Sequence, residues 1–156
     1  MNLSKKYKPY YNLDYYCQDI RYNGMPLTIE VKAYVGIISY TYGKPYITFN
    51  LFDKAEIEKL LDIQSKINEL IKDKSKPMFM KKHWNKFRVN PESEYAGTGT
   101  EAEYYNVYSI GMNIEKRDAQ KLSGRVIPLS MKIRVKCVSY TEQSKSIKLV
   151  LESYNL

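Results

Sequence analysis

From residue 27 to residue 35, apolar and polar side chains alternate without a break. Leu27, Ile29, Val31, Ala33 and Val35 point one way; Thr28, Glu30, Lys32 and Tyr34 point the other. Period two marks a strand with one buried face. Gly36 interrupts the phase, which suits a bulge. Past Tyr40 and Tyr42 the chain turns near Gly43-Lys44-Pro45, and a second alternation sets Ile47, Phe49 and Leu51 inward and Tyr46, Thr48 and Asn50 outward. Residues 27–52 are therefore expected to form a long hairpin. The period then changes: Ile57, Leu60, Leu61, Ile67, Leu70 and Ile71 fall at helical spacing. Asp53 with Glu56 fits a capping box, Lys72 and Lys74 suit the helix C-terminus, and Pro77 forbids continuation. One main helix is predicted over about 53–74.

Alternation returns at Tyr104–Ile114, at Val126–Cys137 and in the last strand, where Ile147, Leu149 and Leu151 face inward. In the second of these, Leu129, Met131, Ile133, Val135 and Cys137 are expected in the core, with Ser130, Lys132, Arg134 and Lys136 outward. Residues 1–12 read as a basic, aromatic arm, either a tail or an edge segment. Residues 13–156 read as one β-rich domain interrupted by a long loop at 75–102, basic first and acidic later. An internal echo runs through the chain. PLTIEVKAYV (26–35) resembles PLSMKIRVKC (128–137), and SYTYGKPYITFNL (39–51) aligns with SYTEQSKSIKLVL (139–151). The two blocks differ in offset by two residues, as a bulge at Gly36 would produce. The fold class that follows is α+β with a predominantly antiparallel sheet, either an OB-like barrel or a duplicated curved hairpin sheet.

Composition narrows the function. The chain has 16 tyrosines, 25 Lys+Arg against 17 Asp+Glu, and a net charge of +8. Cations attract a phosphate backbone and flat rings stack on unpaired bases. Lys72 to Arg88 holds seven cations and one acid, interleaved with Phe79, Trp84 and Phe87. The outward row Lys132, Arg134, Lys136 adds a second cationic strip, with Tyr140 after it and Tyr34 on the matching face of the first hairpin. The expected function is non-enzymatic binding of single-stranded DNA or RNA. Phosphates would meet Lys81, Lys82, Lys86, Arg88, Lys132, Arg134 and Lys136, and bases would stack on Trp84, Phe87, Tyr34 and Tyr140.

Two alternatives stand beside it. Tyrosine and arginine also anchor protein interfaces, so a small virus-type inhibitor or adaptor with a protein partner is the second reading. The third rests on Glu30-Val31-Lys32, which resembles the E-x-K of metal-dependent nucleases, with Asp14 or Asp19 as an upstream acid. Other chemistries lack parts. One histidine, His83, and two distant cysteines cannot build a Cys/His zinc site, and Gly97-Thr98-Gly99 has no lysine for a phosphate loop. No cofactor or metal is expected. Cys17 and Cys137 read as reduced thiols of an intracellular protein, no run of about 18 apolar residues suggests a membrane span, and exposed sheet edges would allow a homodimer.

Overall fold

The computed structural model describes residues 1–10, 14–72, 74 and 108–156, and the backbone of residues 78–79, 86–88 and 104–106. In chain order the elements are β1 (Asn2–Leu3), β2 (Tyr16–Tyr22), β3 (Met25–Thr41), β4 (Lys44–Leu51), α1 (Lys54–Leu70), β5 (Met78–Phe79), β6 (Lys86–Arg88), β7 (Tyr104–Asn106), β8 (Tyr108–Asn113), α2 (Lys116–Leu122), β9 (Leu129–Tyr140) and β10 (Lys145–Asn155). Eight strands make one mostly antiparallel sheet in the order β5-β10-β9-β2-β3-β4-β8, with β1 beside β2; β6 and β7 pair separately. No ladder joins β8 to β10 among the described residues, so the sheet is open.

The 17-residue β3 organises the sheet by serving three ladders, with Met25 and Pro26 pairing with β2. Leu27 to Ala33 pair with β9 and Tyr34 to Thr41 with β4. The register shifts between Val35 and Ile38, at the predicted bulge. A Cβ on Gly36 would stand 2.6 Å from Thr48 Oγ1 and 2.8 Å from the Thr48 carbonyl, so only glycine lets the strands approach there. Of the inward sets predicted for β3 and β4, Val31, Ala33, Ile47, Phe49 and Leu51 are buried and Leu27, Ile29 and Val35 half-buried; they pack with Ile110 and Met112 of β8, Leu129, Met131, Ile133 and Val135 of β9 and Ile147 and Leu149 of β10. Leu60 and Ile67 of α1 and Leu122 of α2 complete this core.

The two echoed hairpins share their registers. Val35 pairs with Phe49, Ile38 with Ile47, Ser39 with Tyr46 and Tyr40 with Pro45. One hundred residues on, Val135 pairs with Leu149, Val138 with Ile147, Ser139 with Ser146 and Tyr140 with Lys145. β3 and β9 lie antiparallel against each other, so a pseudo-two-fold relates the hairpins across that ladder. The second hairpin carries its own register shift, between Lys148 and Leu149 opposite Lys136. The offset is therefore 100 throughout, and the two-residue change suggested by the sequence does not occur.

That second bulge also corrects the reading of Cys137. Alternation in β9 flips at Lys136, so Val138 and Tyr140 join the core while Cys137 is buried on the opposite face. The helix is shorter than predicted. Asp53 caps it by accepting Ala55 N–H at 2.9 Å, and Lys74 donates to the Asn68 carbonyl near its end, but Glu56 does not close a capping box. Its carboxylate accepts Lys32 N–H at 3.1 Å instead. The edge alternative holds for the arm: Asn2 and Leu3 pair with Arg21 and Ile20, and Tyr7 and Cys17 exchange backbone hydrogen bonds at 2.9 and 2.8 Å. α2 was not anticipated. No helix of the described residues is long and apolar enough to cross a membrane.

Candidate functional site

The outward row of β9 forms as expected but is not purely cationic. Lys132 and Lys136 are exposed and Arg134 is half-buried. Glu30 stands directly across the ladder from Lys132. Arg134 Nε lies 3.4 Å from Glu152 Oε1, an ion pair without an aligned hydrogen bond. Asp19 and Arg21 share a small groove of about 100 Å³ with Arg134 and Lys136. Exposed pairs of this kind add little stability, but each acid cancels part of the field a polyanion would feel.

Neither aromatic partner proposed for that face is exposed on it. Tyr34 is only 7% exposed and meets the Phe52 ring edge-on, with centroids 5.5 Å apart. Tyr140 is 3% exposed and donates its hydroxyl hydrogen to Gln18 Oε1. Strand alternation places a side chain on a face; it does not say whether other segments cover that face. Lys81, Lys82 and Trp84 lie outside the described residues. For Lys86, Phe87 and Arg88 the backbone forms β6, paired with β7, and the side chains lie outside the description.

A different cationic site is assembled around Tyr140. Met1 to Lys6, Gln18, Leu70, Lys72 and Tyr140 line a cleft of about 740 Å³ between the N-terminal arm and the end of α1. Its charged side chains among the described residues are Lys5, Lys6 and Lys72, and none of those residues that line it is a carboxylate. The arm is fastened by polar contacts. Ser4 N–H donates to the Asp19 carbonyl at 2.9 Å, Asp19 N–H donates to Ser4 Oγ at 2.8 Å, and Gln18 Nε2 donates to the Ser4 carbonyl at 2.8 Å. The Tyr7 hydroxyl donates to Asp19 Oδ1 at 2.6 Å; this bond, with burial second, holds the phenol well above its ordinary pKa. With Tyr7 turned to Asp19, its neighbours reach two rings. Lys6 Nζ lies 4.4 Å from the centre of the Tyr140 ring and Lys8 Nζ 5.2 Å from that of Tyr16. Tyr16 and Tyr140 face each other across the β2–β9 ladder. The alternation of Lys6, Tyr7 and Lys8 was the available signal for an edge strand, and a segment of only eight residues hid it.

Compared with known protein families, curated proteins and solved structures, the chain matches none.

The backbone of Glu30 and Lys32 helps to fasten the main helix to the sheet. Their backbone groups face α1: Lys32 N–H reaches Glu56, and the Glu30 carbonyl accepts from Lys59 Nζ at 3.2 Å. Among the described residues, no three Asp, Glu, His or Cys side chains gather closely enough to hold a metal ion. Cys17 and Cys137 are free, buried and adjacent. Burial, and then the neighbouring Cys17, push the Cys137 thiol well above its ordinary pKa, which keeps it protonated and unreactive.

Proposed function

We propose that the protein binds single-stranded nucleic acid, with the backbone phosphates held in the arm–helix cleft by Lys5, Lys6 and Lys72. The observation that carries this reading is the cleft itself: three lysines line one concavity, with no acid lining it among the described residues. The charged row on β9 is interleaved with Glu30, Glu152 and Asp19 and is the weaker candidate. A further feature supports the reading. Tyr16, 46% exposed beside the Tyr140 ring, offers a face to a base next to the phosphate site.

The test is fluorescence anisotropy with a labelled 20-nucleotide single strand at several salt concentrations. Each phosphate contact to a single strand contributes a slope of about 0.7 in log K against log salt. Replacing Lys5, Lys6 and Lys72 together by glutamine is expected to flatten the slope by about 2. Lys132→Gln with Lys136→Gln is expected to change it less. Absence of binding by the wild-type chain at low salt, or a triple variant that binds with the wild-type slope, overturns the assignment. The same titration with Trp84→Ala tests the basic aromatic segment outside the described residues; a base-stacking ring there costs about 1–3 kcal/mol.

A further inference from the structure

We propose that the turn between β3 and β4 is a second contact point for the same strand, with Tyr42 stacking on an unpaired base. This inference rests on the nucleic-acid reading above. Among the described residues, two two-residue hairpin turns have both central residues at positive φ. One is Asn23-Gly24, at 50° and 76°; the other is Tyr42-Gly43, at 51° and 75°. The backbone demand is the same in both. Asparagine tolerates the left-handed region because its short amide bonds locally, whereas a bulky aromatic residue there is strained. Strain of this kind persists where something outweighs it, and it gathers at ligand-contacting sites.

Among the described residues, no hydrogen bond or ring contact holds Tyr42. Its side chain is 100% exposed. The surroundings point to the kind of ligand. Tyr40 and Ile37 on the same hairpin end are also exposed, Lys44 follows the turn, and no acid occurs between residues 31 and 52. The equivalent turn of the second hairpin, 100 residues on, carries Glu142 and Gln143 in place of Tyr42 and Gly43. An acid-free tip of exposed rings with one cation complements a flat, negatively charged polymer with unstacked bases.

The experiment compares a fluorescent oligothymidylate with an abasic strand of equal length, which has the same phosphates and no bases. Tyr42→Asn is expected to weaken oligothymidylate binding roughly 5- to 150-fold, the range for one lost base stack. Binding to the abasic strand should stay at the wild-type level, Tyr42→Phe should bind both strands like wild type, and Tyr42→Asn should melt no lower than wild type. If wild type binds both strands equally and Tyr42→Asn changes neither, the stacking inference fails while the phosphate cleft stands. If wild type binds neither strand, both fall. Equal loss on both strands, a lower melting temperature, or conversion of a wild-type dimer to monomer in Tyr42→Asn would each assign the ring to something other than a base and overturn the proposal. So would retention of a protein partner, after nuclease treatment, that Tyr42→Asn releases.

Discussion

Replacing Glu56 by alanine tests how the main helix is fastened to the sheet. From Glu30 to Lys32, β3 has β9 on one side, while on the other neither β2 nor β4 reaches it. The Glu56 carboxylate stands in for the missing strand. Oε2 accepts Lys32 N–H at 3.1 Å, and Lys59, 3.1 Å from both carboxylate oxygens, donates onward to the Glu30 carbonyl at 3.2 Å. Alanine leaves a part-buried backbone donor without its partner. A hydrogen bond to a charged group contributes about 1.5–3 kcal/mol, and stranding its donor costs a similar amount. The Lys59 pair is half exposed and adds only about 0.3 kcal/mol. The expected loss is about 2 kcal/mol, or about 4–8 °C in melting temperature for a chain of this length. Glu56→Gln keeps an oxygen facing Lys32 and should cost about 1 kcal/mol or less. Urea unfolding followed by circular dichroism gives these values directly, provided the slope with denaturant is unchanged. A Glu56→Ala protein within about 0.5 kcal/mol of wild type would refute the edge-capping account. So would a Glu56→Gln protein as unstable as Glu56→Ala.

Gly36→Ala should destabilise the chain by about 1–3 kcal/mol in the same assay, because the Thr48 carbonyl beside the new Cβ is backbone and cannot swing away. Stability should also fall at alkaline pH. Cys137 and Tyr108 (the latter raised to about 12 by burial) hold their protons to higher pH in the folded chain than when unfolded. The contribution of Cys137 is therefore complete below about pH 9 and that of Tyr108 below about pH 10, and each is lost as pH rises further, by at most about 1.4 kcal/mol per pH unit. A urea midpoint that stays level from pH 8 to pH 11 would contradict this. Finally, an aromatic disulfide reagent at neutral pH should modify neither cysteine in the native protein and both in urea; rapid reaction of either native thiol would show that the arm does not cover them.

What the sequence made legible was whatever depends on one strand or helix seeing one buried face. The phases of β3, β4 and β10 and the bulge at Gly36 follow from local spacing and are observed; of the stripe predicted for α1, Leu60, Ile67 and Ile71 are buried and Ile57 partly so, while Leu61 and Leu70 are exposed. What it concealed depends on segments far apart in the chain. The acids that dilute the β9 row come from β2, β3 and β10, and the cleft joins residues 5, 6, 72 and 140. The phase of β9 was misread beyond Lys136 because a bulge without glycine leaves no local mark. α2 escaped because its seven residues bury only Ala119 and Leu122, too few positions to establish a period.

The pseudo-two-fold shows where the fold's common frame ends and its chemistry begins. Registers repeat at an offset of 100 from Tyr34 to Asn50, so sheet geometry alone treats Tyr40 and Tyr140 alike. Their environments differ completely. Tyr140 is sealed by Gln18, by Lys6 and by the end of α1, whereas Tyr40 is 58% exposed at a bare hairpin tip. The difference comes from the additions around the hairpins. The arm and β2 lie along β9, and α1, leaving the first hairpin, ends beside Tyr140. These additions bring the cations to one ring and leave its counterpart open. Two related hairpins thus yield one lysine-lined cleft and one uncovered aromatic tip, which is the pairing of phosphate-holding and base-holding groups that the proposed ligand requires.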